Sequence, residues 1–98
     1  MDVTLLYFDG CPSWETTDQQ LRSLADELGF DLAYRKVESP EAAEEMSFRG
    51  SPTVLIDGHD PFARGGEPVG LACRTYQTPD GPVGSPTVEQ LREVLGSP

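Results

Sequence analysis

The chain has 98 residues, with seven Lys and Arg against seventeen Asp and Glu, a formal charge of −10. That length suits one domain over 1–98, burying roughly 60–65% of its unfolded surface. The acidic surface repels nucleic-acid phosphates and anionic lipids, which argues against nucleic acid and membrane partners, and no apolar run approaches the ~20 residues that span a bilayer.

Val3-Thr4-Leu5-Leu6-Tyr7-Phe8 predicts a buried strand ending at Asp9-Gly10. After Cys11-Pro12-Ser13-Trp14 a helix follows, with Trp14, Leu21, Leu24, Ala25 and Leu28 on one face, Thr17 and Asp18 in the gap, and Gly29 as its stop. Asp31 to Val37 predicts a second strand. Ser39-Pro40 opens a second helix as N-cap and first helical residue, with Ala42, Ala43 and Met46 inward and Gly50 ending it. Thr53 to Ile56 is a short β-branched strand closed by Asp57-Gly58. A Gly- and Pro-rich loop of about 13 residues then runs from Gly58 to Gly70, longer than a typical connection. Leu71 to Thr78 predicts a fourth strand, and Pro79-Asp80-Gly81 a turn. Ser85-Pro86 repeats the cap device before a last helix striped by Val88, Leu91, Val94 and Leu95. The order β-α-β-α-β-β-α predicts a layered α/β fold whose first two strands are parallel.

Cys11 is the principal chemical candidate. A thiol at a strand-to-helix turn faces the partial positive charge of the helix N-terminus, which favours thiolate. Asp9 and Glu15 oppose that field, so the sign of the shift is open. The plainer reading is a small buried hydrophobe. Trp14 stands where a Cys-x-x-Cys would place its second cysteine, so a mixed disulfide on Cys11 must be resolved by a second thiol molecule or by Cys73. A strand from Leu71 antiparallel to Thr53–Ile56 puts Cys73 several residues from the Cys11 turn, at ~3.3 Å each. That exceeds the Cα separation of about 7 Å a disulfide tolerates, and core packing is the simpler role for Cys73. Trp14 is core or a lid over the thiol; Ser13 bonds the thiolate or only the helix start. His59, between Asp57 and Asp60, is a base for Cys11 or a solvated turn residue. Glu38 to Glu45 is a solvated helix face. Two cysteines and one histidine lack zinc spacing, and neither metal nor cofactor is expected. Two cysteines are too few for a disulfide scaffold, and Met1-Asp2-Val3-Thr4 lacks the basic n-region of a secretory signal, so a cytoplasmic location is expected.

Arg49-Gly50-Ser51-Pro52-Thr53 is very similar to the Arg-Gly-x-Pro-Thr segment that thioredoxins carry between a core helix and the next strand. With Cys11 at the first strand-to-helix turn and the order of elements, the chain resembles the thioredoxin-like family from Val3 to Leu95. The resemblance implies a four-stranded mixed sheet flanked by three helices and a cis peptide before Pro52. It also implies a groove of Pro12, Ser13, Trp14, Ser51, Pro52 and Thr53 beside Cys11, where backbone pairs with extended substrate. The implied activity is that of an atypical single-cysteine thiol–disulfide oxidoreductase, with Cys11 as nucleophile and a small thiol or a protein thiol or disulfide as partner. A thioredoxin scaffold that binds without chemistry is the alternative. Asp57-Gly58-His59-Asp60-Pro61-Phe62, Cys73-Arg74-Thr75-Tyr76 and Pro86-Thr87-Val88-Glu89-Gln90-Leu91 are similar to a group of small thioredoxin-like proteins, some labelled alkylmercury lyase. That resemblance implies soft-metal or organomercurial handling, although no residue here matches the lyase site one by one.

Overall fold

The apolar run nearest the N-terminus becomes the centre of the sheet. In the computed structural model, which describes residues 2–63 and 69–96, β1 (Asp2–Tyr7) lies between β2 (Asp31–Lys36), parallel to it, and β3 (Thr53–Ile56), antiparallel. A strand with neighbours on both sides and helices on both faces must be apolar at successive positions. Val3, Leu5 and Leu6 are all fully buried. The helix α1 (Ser13–Leu28) makes the crossover from β1 to β2, and Gly29 ends it in the left-handed region, its N–H bonded to Ala25 O at 2.8 Å.

Two cores follow from the two faces of β1. Val3 and Leu5 pack with Leu21 and Leu24 of α1, Val54 of β3, and Leu91 and Leu95 of α3 (Val88–Gly96). Leu6 points the other way, onto Val37, Phe48 and Ala43 of α2 (Pro40–Glu45). Ser39 caps α2 by accepting from Ala42 N at 3.1 Å, with Pro40 in the first turn, as its sequence predicts. Among the described residues no helix is long and apolar enough to cross a membrane.

Three expectations need correction. The fourth strand does not join the sheet, which has three strands rather than four. Residues 71–75 carry no strand, β4 starts only at Tyr76, and β4 (Tyr76–Thr78) pairs with β5 (Gly81–Val83) as a separate hairpin around Pro79-Asp80. Ser85 is not the cap of α3. Thr87 and Gln90 form a reciprocal capping box, each side chain accepting from the other's backbone N–H at 3.0 Å. Ser85 instead meets Thr17 hydroxyl to hydroxyl at 2.6 Å. The third correction is Leu28, exposed although expected on the apolar face of α1, whereas Thr17 and Asp18, in the gap of that face, are buried. Thr17 is satisfied by Ser85, and Asp18 accepts from Tyr34 Oη at 2.6 Å and Arg22 at 2.7 Å. The centre of the predicted Gly58–Gly70 loop, at 64–68, lies outside the described residues.

Residues 72–74 run alongside the segment before Pro52. Ser51 N–H donates to Ala72 O at 2.8 Å, Arg74 N–H donates to Ser51 O at 3.1 Å, and Ser51 and Cys73 form a parallel bridge. So close an approach requires glycine at position 50. Its φ is +107°, and a Cβ there would lie 2.9 Å from Arg74 Cβ and 3.2 Å from Ala72 O. Gly29 also has a positive φ, but a Cβ on it meets nothing within 4 Å. In urea unfolding, Gly50→Ala is expected to cost about 2–3 kcal/mol and Gly29→Ala about 1 kcal/mol. Equal losses would show that 72–74 yields easily and is not held against Gly50.

Candidate functional site

The site forms where the C-terminal end of β1, the start of β3 and the 72–74 segment converge. Because β3 is antiparallel to β1, pairing Thr53 with Leu6, the residues before Thr53 arrive beside the turn that holds Cys11. Phe8 N–H donates to Ser51 Oγ at 3.1 Å and fixes that meeting. The Ser51–Pro52 peptide is cis, as the resemblance implies. Ser51, Pro52 and Thr53 are buried.

Cys11 and Cys73 are joined in a disulfide, with Cα atoms 5.6 Å apart. The expectation that they lie too far apart is therefore overturned. It placed Cys73 within a regular strand, whereas the chain around Cys73 folds back across the Pro52 end and enters β4 only afterwards. Cys11 is 1% exposed; Cys73 is exposed and lines an adjoining cleft. Cys11 is held by its backbone, with its N–H donating to Phe8 O at 3.2 Å, and no side chain caps α1 at Pro12. Pro12 is exposed and Ser13 half-buried. Trp14 is half-buried, packed on the first core and stacked on Tyr7 with ring centroids 4.3 Å apart. Asp9, one of the two acids near Cys11 in sequence, bonds Lys36 Nζ at 2.5 Å.

Behind Cys73 lies a buried polar cluster that sequence reasoning did not identify. Arg74 donates to Asp60 Oδ2 at 2.6 Å, and their side chains are 5% and 3% exposed. Asp60 Oδ1 also accepts from Phe62 N–H at 3.0 Å, and Arg49 lies 3.8 Å from Oδ2. Arg74 further contacts Thr53 Oγ1 at 3.3 Å and sits over the Tyr76 ring, 4.7 Å from its centroid. Tyr76 Oη donates to Pro52 O at 2.5 Å, and Thr53 Oγ1 donates to Gly50 O at 2.6 Å. Thus Gly50, Ser51 and Pro52 each have a backbone group bonded by this chain. A charged pair next to an apolar core survives only when hydrogen-bonded throughout, as here. The signal available beforehand was the pairing of Asp60 with Arg74 inside segments whose other residues read as turn and strand.

The cleft measures about 410 Å³ and is lined by Arg49, Phe62, Cys73, Tyr76, Gln77 and Gln90 among others. Gln90 Nε2 donates to Gln77 O at 2.8 Å, tying α3 to its wall. His59 is exposed in the turn after β3, where its backbone pairs with Ile56. Among the described residues, no three His, Cys, Asp or Glu side chains gather as a metal site. Comparison with family models, curated proteins and solved structures gives no significant match.

Burial is the main cause that pushes the Tyr76 hydroxyl far above the ordinary tyrosine value near 10. A group whose folded value is raised lends stability below its unfolded value and loses it as pH climbs above that value. Tyr34 shifts the same way, by desolvation and then by its bond to Asp18, but it is largely exposed and contributes less. Tyr76→Phe removes the bond to Pro52 O and is expected to cost about 1–3 kcal/mol at pH 7. It is also expected to flatten the loss of stability above pH 10, read by urea unfolding from pH 7 to 11. An unchanged alkaline slope would remove Tyr76 as its main source.

Proposed function

We propose that this protein is a thioredoxin-like thiol–disulfide oxidoreductase whose redox couple is Cys11 with Cys73. The single-cysteine mechanism expected from the sequence gives way to an intramolecular one, because Cys73 supplies the second thiol that position 14 lacks. The observation that carries the proposal is the unequal burial of the two ends of the bond. An incoming thiolate attacks Cys73 Sγ, the accessible sulfur; the S–S bond breaks and its electron pair leaves on Cys11 Sγ. Cys11 sits just before the α1 N-terminus, where a leaving thiolate gains from the helix field, and a better leaving thiol makes exchange faster. In the reverse direction the Cys73 thiolate attacks an oxidised partner, and Cys11 resolves the mixed disulfide. Cys73 thus takes the outward role expected of Cys11, and Cys11 becomes the resolving residue. The placement of Ser51-Pro52-Thr53 beside the Cys11 turn and the β-α-β crossover support the thioredoxin-like assignment.

Docking of an extended peptide on Ser51, the binding-module alternative, is disfavoured because Ser51 N–H and C=O are already bonded to residues 72 and 74. The closeness of the cysteines favours one second reading, in which the reduced pair chelates a soft metal ion through two thiolates. Organomercurial handling then requires carbon–mercury cleavage that disappears in both Cys11→Ser and Cys73→Ser.

Alkylation of the reduced variants tests the redox assignment. Cys11→Ser, which keeps the exposed Cys73, is expected to react with iodoacetamide like an open thiol and to accumulate mixed disulfides visible by mass spectrometry. Cys73→Ser, which keeps only Cys11, is expected to react at least about tenfold more slowly. The opposite ranking, or a wild-type disulfide that dithiothreitol cannot open without unfolding the protein, would overturn it.

A further inference from the structure

The strand β2 stands at an open edge of the sheet, and its residues complement a second copy of themselves. We infer that two copies of this chain join through β2, antiparallel about a twofold axis at Ala33, so that their sheets become one. The two edges of the three-stranded sheet differ. β3 is buried or half-buried at each of its four positions, whereas β2 is exposed at five of its six, with Leu32 half-buried. β2 also lacks the Pro, Gly or bulge that commonly blunts an edge, and all six of its residues keep register with β1. Lys36, a charge of the kind that guards edges, is bonded to Asp9 at the far end of the strand.

The backbone selects the register. Val37 N–H donates to Tyr7 O at 2.8 Å, so by alternation Ala33 and Arg35 turn their backbone groups to β1 while Leu32 and Tyr34 turn theirs outward. Antiparallel strands set residues of like orientation opposite each other. Pairing about Ala33 therefore places Leu32 against the other copy's Tyr34, exchanging both N–H···O bonds, and the twofold repeats the exchange. Ala33 then meets Ala33, and Asp31 meets Arg35, in the non-hydrogen-bonded pairs where side chains lie closest. The small residue falls on the axis, and each charged contact joins opposite signs. Centring on Leu32 or Tyr34 instead sets Asp31 or Arg35 against Ala33 and leaves those charges unmatched. Neither Asp31 nor Arg35 has an ion-pair partner of its own among the described residues. Tyr34, 45% exposed although its hydroxyl is tied to Asp18, gains the other copy's Leu32 as apolar cover. In a chain of net charge −10, an edge bearing Asp31, Arg35 and Lys36 is locally cationic, so two copies repel least along it.

The test is sedimentation velocity of the oxidised wild-type protein from about 5 to 500 µM, in about 0.15 M salt to screen long-range repulsion. A monomer–dimer equilibrium in the micromolar range is expected, since one strand edge buries less than the ~1,200 Å² of a standard interface. Arg35→Asp sets like charges together at a contact that occurs twice, and is expected to weaken the dimer roughly tenfold. Asp31→Arg combined with Arg35→Asp is expected to restore it. Amide exchange at Leu32 and Tyr34 is expected to slow as concentration rises, with Ala33 and Arg35 protected throughout. A monomer at every concentration, or a dimer whose Leu32 and Tyr34 amides exchange as in the monomer, would overturn the inference whatever the folding of the variants. A dimer left intact by Arg35→Asp, or a double variant no tighter than the single one, would overturn it as well.

Discussion

The docking of residues 72–74 along Ser51 is the constraint on which the rest of the site depends. It brings Cys73 within disulfide reach of Cys11, fills the backbone edge before Pro52, and keeps residues 71–75 out of the sheet. Three kinds of bond hold it: the covalent link, two backbone hydrogen bonds to Ser51, and the Arg74–Asp60 pair with Tyr76 bonded to Pro52 O. Each depends on a neighbour that could be little else. Gly50 must lack a side chain, Asp60 must place its carboxylate against Arg74, and Tyr76 needs its hydroxyl to reach Pro52 O.

The Arg74–Asp60 pair contributes geometry more than net stability. Taking two charges out of water costs several kcal/mol per ion, so such a pair seldom beats an apolar replacement on energy alone. Its arrangement, however, is one an apolar pair cannot supply. The Arg74 guanidinium reaches Asp60, Thr53 and the Tyr76 ring at once, linking the loop after β3, the start of β3 and the start of β4. A hydrophobic substitute would fill the space without fixing the angle at which residue 73 arrives.

Much of the sheet was legible because its residues obey local rules. β1 is a continuous apolar run, Gly29 and Ser39-Pro40 act as their caps predict, and Pro79-Asp80-Gly81 turns as its composition requires. The Gly50-Ser51-Pro52-Thr53 segment, expected beside Cys11, lies at the end of β1 that leads into the Cys11 turn. What failed were the inferences about residues 71–75 and about the role of Ser85. Thr17 and Asp18 interrupt the apolar face of α1, and the partners that satisfy them there, Ser85, Tyr34 and Arg22, are set by the fold. Leu71 to Thr78 reads as one strand because β propensity cannot register that 72–74 pairs with a single residue, Ser51. From that one error came the expectation of a distant Cys73, and it matches the fourth sheet strand that the resemblance implied.

A disulfide closing 62 residues of sequence separation stabilises a domain by about 4 kcal/mol through loop-closure entropy alone. For a fold of this size that is a substantial part of the typical stability of about 5–15 kcal/mol. A redox cycle that gave it up at every turn would endanger the fold unless 72–74 were retained by other means. The Ser51 hydrogen bonds, the Arg74–Asp60 pair and the Tyr76 hydroxyl are those means, and none of them involves sulfur. The same network that looks redundant beside a permanent disulfide becomes necessary beside a reversible one. That redundancy supports the proposal that Cys11 and Cys73 form a working couple rather than a staple.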